Sequence, residues 1–184
     1  MPSGKTFGRG SLITPAAAAV ALLADISSKQ WARANLHEGL SSEFIPGFLH
    51  FNLTSNTGAA FSLGNQNSTL MTTLAFTMTC VLIAWWAKRE LTELKVAQLD
   101  RIGLGLLIGG AMGNLLDRFV RGRVTDFLDF SFISFPVFNT ADALIDVGIG
   151  LLVIAAFSSA DKKTKSATEP TESAAAEQSA DQTP

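Results

Sequence analysis

Four apolar blocks, at Leu12–Trp31, Ser68–Ala87, Ile102–Phe119 and Thr140–Ser158, set what this chain can fold into. A helix needs about 20 residues to cross a hydrocarbon core of roughly 30 Å, and each block reaches or nearly reaches that length. Apolar residues gathered into blocks, rather than spread at helix or strand period, describe spans and not one water-soluble core. The proportions agree, since 47% of the residues are hydrophobic and only 16% charged, outside ordinary globular usage. The expected fold is an all-α membrane protein: a four-transmembrane-helix bundle over residues 12–160, preceded by a short terminus at 1–11.

The first block could pass for a secretory signal. It carries Asp25 and Lys29 at its far end, however, and lacks a convincing small-residue cleavage site, so it is read as a permanent span. Lys5 and Arg9, the link with Lys88, Arg89, Lys95 and Arg101, and the tail with Lys162, Lys163 and Lys165 outnumber the cations of the other side. Positive-inside then puts both termini in the cytoplasm. Arg118, Arg121 and Arg123 break that rule by crowding the face assigned as outside, which means either a local use for positive charge or the opposite topology, and the other charge counts favour the first. A net charge of −2 with no basic stripe argues against nucleic acid as a partner. Cys80, the only cysteine, sits in an apolar block and reads as a small buried hydrophobe.

Between the first two spans, Pro46, several glycines and the alternation Leu49-His50-Phe51-Asn52-Leu53 predict a β element on the membrane surface, the only plausible one. Residues 161–184 are rich in Ala, Ser, Thr, Glu, Lys and Gln and predict a disordered cytoplasmic tail.

A charge at mid-membrane costs at least about 2.5–3.5 kcal/mol, so each polar residue near a span needs a partner, an interfacial place or a job. Asp25 and Lys29 stand four apart with the acid first, the better order for an intrahelical pair. An ion pair anchoring the first span accounts for them as well as catalysis does. In the third span Asn114, Asp117 and Arg118 share a face and are expected to point together into the bundle or a wet cavity. Gly109, Gly110 and Gly113 there suit close packing against a neighbouring helix.

Beyond that span Asp126 and Asp129 lie among large apolar residues, and Asn139 and Asp142 stand one turn apart at the mouth of the fourth. Both stretches reach the same membrane face. Two carboxylates in one site cannot both ionise cheaply, so one keeps a proton while the other is an anion. The anion can take a proton from a water attacking a peptide carbonyl while its partner hydrogen-bonds the carbonyl oxygen. Asp117, Asp126 and Asp129 all remain possible partners for Asp142. His37 and His50 are isolated, no HExxH or Cys/His cluster occurs, and no serine stands in a nucleophile motif, so neither a metal nor a cofactor is expected.

Five strings in order carry a resemblance: Asp25…Lys29, Asn56-Thr57-Gly58-Ala59-Ala60-Phe61, Gly109-Gly110-Ala111…Asn114…Asp117-Arg118, Val124…Asp126-Phe127, and Phe138-Asn139…Ala141-Asp142. From Asp25 to about Gly148 the chain resembles the lipoprotein signal peptidase (signal peptidase II) family. The resemblance implies an aspartyl dyad of Asp126 and Asp142. It places Asn56, Gly58, Asn114, Arg118, Asn139 and Asp117 in supporting or substrate-binding positions, with Asp25 and Lys29 in the first-span motif. It further implies a β cradle at about 38–64 on the periplasmic or extracellular side. The implied substrate is a diacylglyceryl-modified bacterial prolipoprotein, cut before its lipidated cysteine at the outer face of the inner membrane. Apart from the resemblance, membrane lipids are expected around the enzyme, which is expected to be a monomer. Asp146, one turn below Asp142, departs from the small or apolar residue expected there; two roles are open to it, perturbing the dyad's titration or hydrogen-bonding a neighbouring helix, and the second is the expected one.

The rival class is a small ion- or proton-coupled transporter, which would set its acids deeper in the bilayer; here most gather at one end. A non-catalytic scaffold would leave the convergence of Asp126 and Asp142 without a purpose.

Overall fold

The computed structural model describes residues 12–58, 68–92 and 96–158. The elements run α1 (Ile13–Asn35), β1 (Ser41–Ile45), β2 (Leu49–Asn56), α2 (Ser68–Thr92), α3 (Gln98–Arg121), β3 (Val124–Phe130) and α4 (Thr140–Ser158). The expected cytoplasmic terminus at 1–11, the tail at 161–184 and part of the expected cradle, 59–64, lie outside the described residues.

Three helices, α2, α3 and α4, are long and apolar enough to cross a membrane. The 23 residues of α1 are sufficient in length, but Asp25, Ser27, Ser28, Lys29 and Gln30 dilute its second half. Of the 25 residues of α2, Met71 and Thr79 alone are buried, while Leu74, Phe76, Met78 and Val81 face outward. Such a surface calls for an apolar solvent. Cys80 is exposed on this helix, not the small buried hydrophobe its neighbours implied.

The core is organised by glycines on two faces of α3. Gly105, Gly109 and Gly113, spaced by four, meet Ala17, Ala21 and Asp25 of α1 in turn. Gly103 and Gly110 meet Gly148 and Ala141 of α4, where an added Cβ would lie 2.8 Å and 2.6 Å from their carbonyl oxygens. Small residues let backbones approach where the hydrophobic effect gives no drive between helices. At the other end, Arg89 pairs with Asp100 at 3.0 Å and Arg101 with Glu90 at 2.8 Å, tying α2 to the start of α3.

The strands form one antiparallel sheet in the order β1-β2-β3. The predicted alternation lies within β2, but two further strands accompany it, one of them the acid-bearing Val124–Phe130. Residues Val124 to Phe127 are buried in succession, so this strand lacks the polar-out alternation that betrays a half-exposed one. Gly122 adopts φ 71° and ends α3 with its N–H on the Arg118 carbonyl, which turns the chain directly into β3.

Candidate active site

The Gly122 turn folds β3 back beside the end of α3 and so returns Asp126 towards Asn114 and Arg118. Backbone bonds then fasten the next segment to that strand: Phe127 N–H and Leu128 N–H both donate to the Phe138 carbonyl, at 2.9 Å and 2.8 Å. That pairing delivers Asn139, the residue before α4. Its side-chain oxygen accepts the Asp142 N–H at 3.2 Å while the Asp142 carboxylate accepts the Asn139 N–H at 3.1 Å. This is a reciprocal capping box, and it makes the Asp142 position a product of helix initiation.

Asp126 and Asp142 line one cavity of about 500 Å³ with Asn56, Gly58, Asn114, Arg118 and Asp146. The Asn139 amide donates to Asp126 Oδ1 at 2.6 Å, and Asn56 donates to Asp126 Oδ2 at 3.0 Å. Asn114 Nδ2 donates to Asp142 Oδ1 at 2.8 Å. The orientation of Asn114 follows from Lys29, whose ammonium can only donate and therefore takes Asn114 Oδ1, at 2.7 Å. Lys29 is in turn held by Asp25 at 2.8 Å, and Asp25 accepts the Ala141 N–H at 2.9 Å. The expected intrahelical pair is thus present, buried and linked to Asp142 through Asn114.

Among the described residues no cation lies within ion-pair distance of Asp126 or Asp142; their partners are amides. Burial pushes Asp126 up to about 6, against the bonds from Asn139 and Asn56, and the charge of Asp142 adds to the rise. Arg118 Nη2 donates to the Gly58 carbonyl at 2.8 Å. Its Nη1 is buried without a hydrogen-bond partner among the described residues, a donor set beside two acids.

The three polar residues expected to point together from α3 divide. Asn114 and Arg118 line the cavity, whereas Asp117 turns away to Arg121 at 3.3 Å, Arg33 at 3.4 Å and Lys29 at 3.9 Å. Asp117 also accepts the Thr125 N–H at 2.9 Å. Asp129 faces the sheet, accepting from Asn52 at 2.9 Å. Asp146 opens onto the cavity and makes no hydrogen bond among the described residues, contrary to its expected helix contact. Two participants escaped the sequence reading. Arg33 extends the Asp25, Lys29 stripe by one more turn of four and donates to Thr125 Oγ1 at 2.9 Å; that spacing was the available signal. A separate cavity of about 310 Å³ between α1, α2 and α3 is lined by apolar side chains and Thr14, with no titratable group to do chemistry.

The profile of the family described as signal peptidase (SPase) II matches residues 17–158. A lipoprotein signal peptidase of Nostoc punctiforme is 43% identical over 77% of this chain and 87% of its own length. One of Gloeobacter violaceus is 41% identical over 75% of this chain and 78% of its own. A solved structure described as a bacterial membrane enzyme superposes with a TM-score of 0.71 at 28% identity, over 82% of this chain and 90% of that one. The chain belongs to the signal peptidase II family of aspartic peptidases.

Proposed function

We propose that the chain removes the signal peptide from diacylglyceryl-modified bacterial prolipoproteins, cutting before the lipidated cysteine with water activated by Asp126 and Asp142. The observation that carries this reading is the single cavity in which Asn139 holds both acids, one through its side chain and one through its backbone. The upward pull on Asp126 favours a dyad that shares one proton near neutrality. The anionic member takes a proton from the attacking water. The protonated member hydrogen-bonds the carbonyl oxygen and then protonates the departing amine. Arg118 Nη1 supplies a further donor for a substrate carbonyl.

In this reading residues 12–160 form a four-span peptidase, with α1 crossing beside α3 because its charged stripe is buried against that helix. Both termini are cytoplasmic and the cavity lies at the outer face, where acyl chains hold a lipidated cysteine without its being drawn out of the membrane. Phe44, Phe48, Phe132 and Phe135, exposed about the sheet, suit contact with the lipid surface. The enzyme acts as a monomer. The test is cleavage of a diacylglyceryl prolipoprotein in detergent by wild type, Asp126→Asn and Asp142→Asn, with chelator throughout. Cleavage by the wild type alone supports the dyad. Cleavage by both variants removes it, and no cleavage where a known peptidase succeeds favours the transporter.

A further inference from the structure

Beside the Asp25–Lys29 pair, a second polar cavity of about 200 Å³ opens between α1 and α3, lined by Asp25, Lys29, Arg33, Asp117 and Arg121 among others. Its charges do not cancel. Asp25 and Lys29 neutralise each other at 2.8 Å, which leaves Asp117 alone to face two guanidiniums. Arg33 Nη1 at 3.4 Å and Arg121 Nε at 3.3 Å share the same oxygen, Asp117 Oδ1. One positive charge is therefore in surplus, and two like charges stand side by side.

The surroundings make that surplus costly. Leu116 and Val120 on the cavity wall are 43% and 69% exposed, so the opening faces the apolar side of the bundle, where water cannot screen a charge as it does in bulk. Arg121 also belongs to the arginine cluster that breaks the positive-inside pattern at this end of α3. Asp117 takes one nitrogen of each guanidinium fork, and a tetrahedral anion with several oxygens is matched to what remains.

We propose that this cavity binds the phosphate of an anionic phospholipid, with Arg33 and Arg121 on its oxygens and the acyl chains along Leu116 and Val120. The phosphate is the recognised group, and the exposed apolar wall selects a lipid over the free ion. The site places a membrane lipid between α1 and α3, in a cavity separate from the one that Asp126 and Asp142 line. It draws on the spanning arrangement proposed above but not on the identity of the dyad.

The experiment is native mass spectrometry of the full chain in detergent with phosphatidylglycerol, phosphatidylcholine or inorganic phosphate, for wild type and Arg121→Gln. Arg121 is 42% exposed at the helix end, so the variant should fold, and an unchanged unfolding midpoint verifies this. The expected result is retention of phosphatidylglycerol over phosphatidylcholine by the wild type, with about fivefold weaker binding in Arg121→Gln, as for one cation near a lipid surface. No headgroup preference in the wild type, or an equal preference in the variant, overturns the proposal. Inorganic phosphate binding as tightly as the lipid overturns the lipid and leaves an anion site. Prolipoprotein cleavage by Arg121→Gln in phosphatidylcholine micelles should equal that of the wild type, which separates failure here from failure of the dyad.

Discussion

Asp117 and Asp126 stand on either side of the Gly122 turn, both are buried at 7% and 2% exposure, and they are partnered in opposite ways. Asp117 has three cations within 4.0 Å. Asp126 has two amide side chains and no cation at that distance. A buried acid matched by cations ties elements together, since its charge is balanced where it stands. One matched by neutral amides keeps its hydrogen bonds while its charge stays uncompensated, and burial then raises its pKa into the working range. The difference lies in which neighbours the fold brings, since the residue type is the same.

The largest expected effect is on catalysis. Asp126→Asn should slow prolipoprotein cleavage by about 10³-fold or more, the range of a lost acid–base group, with little change in unfolding temperature. Asp117→Asn should do the reverse, destabilising the fold by about 3 kcal/mol because cations are left without their acid. Its cleavage rate per folded molecule should change far less. Single-turnover cleavage beside thermal unfolding of each variant checks both, and an exchange of their phenotypes would break the contrast between the two acids.

A smaller effect sharpens it. Asp126 is raised from its ordinary 3.8 to about 6, so the stability it contributes is present in full below about pH 4 and lost as pH rises through about 6. The change is at most about 3 kcal/mol. Unfolding midpoints of the wild type should fall over that window, and those of Asp126→Asn should fall less; parallel curves would sink the assignment. Least of all, Asp146→Ala should alter cleavage by under about threefold, since this side chain opens onto the cavity without holding either acid. A loss near that of Asp126→Asn would place Asp146 in the machinery.

Much of this was legible in the residues. The apolar blocks announced α2, α3 and α4, the small-residue pattern announced close packing around α3, and the spacing of Asp25 and Lys29 announced their pair. Val124–Phe130 escaped as a strand because four successive buried residues erase the period of two. Asn114, Asp117 and Arg118 were grouped because helical spacing gives an arc, and an arc wide enough for all three spans two cavities once α1 and β3 pack on either side. The role of Asn139 was readable in part, since Asn-Thr-Ala-Asp has the form of a capping box.

Sequence alone determined the solvent, the helices and the supply of acids and amides, because hydropathy and spacing along a chain are local properties. Tertiary structure decided which acid meets which partner. Asp126 reaches Asn139 only through β3 pairing with the segment before α4, and Asn114 turns its amide to Asp142 because Lys29, from α1, and the Asn139 amide both claim its oxygen. Burial and hydrogen bonding across such distances come from packing, and the chemistry of a carboxylate follows its neighbours.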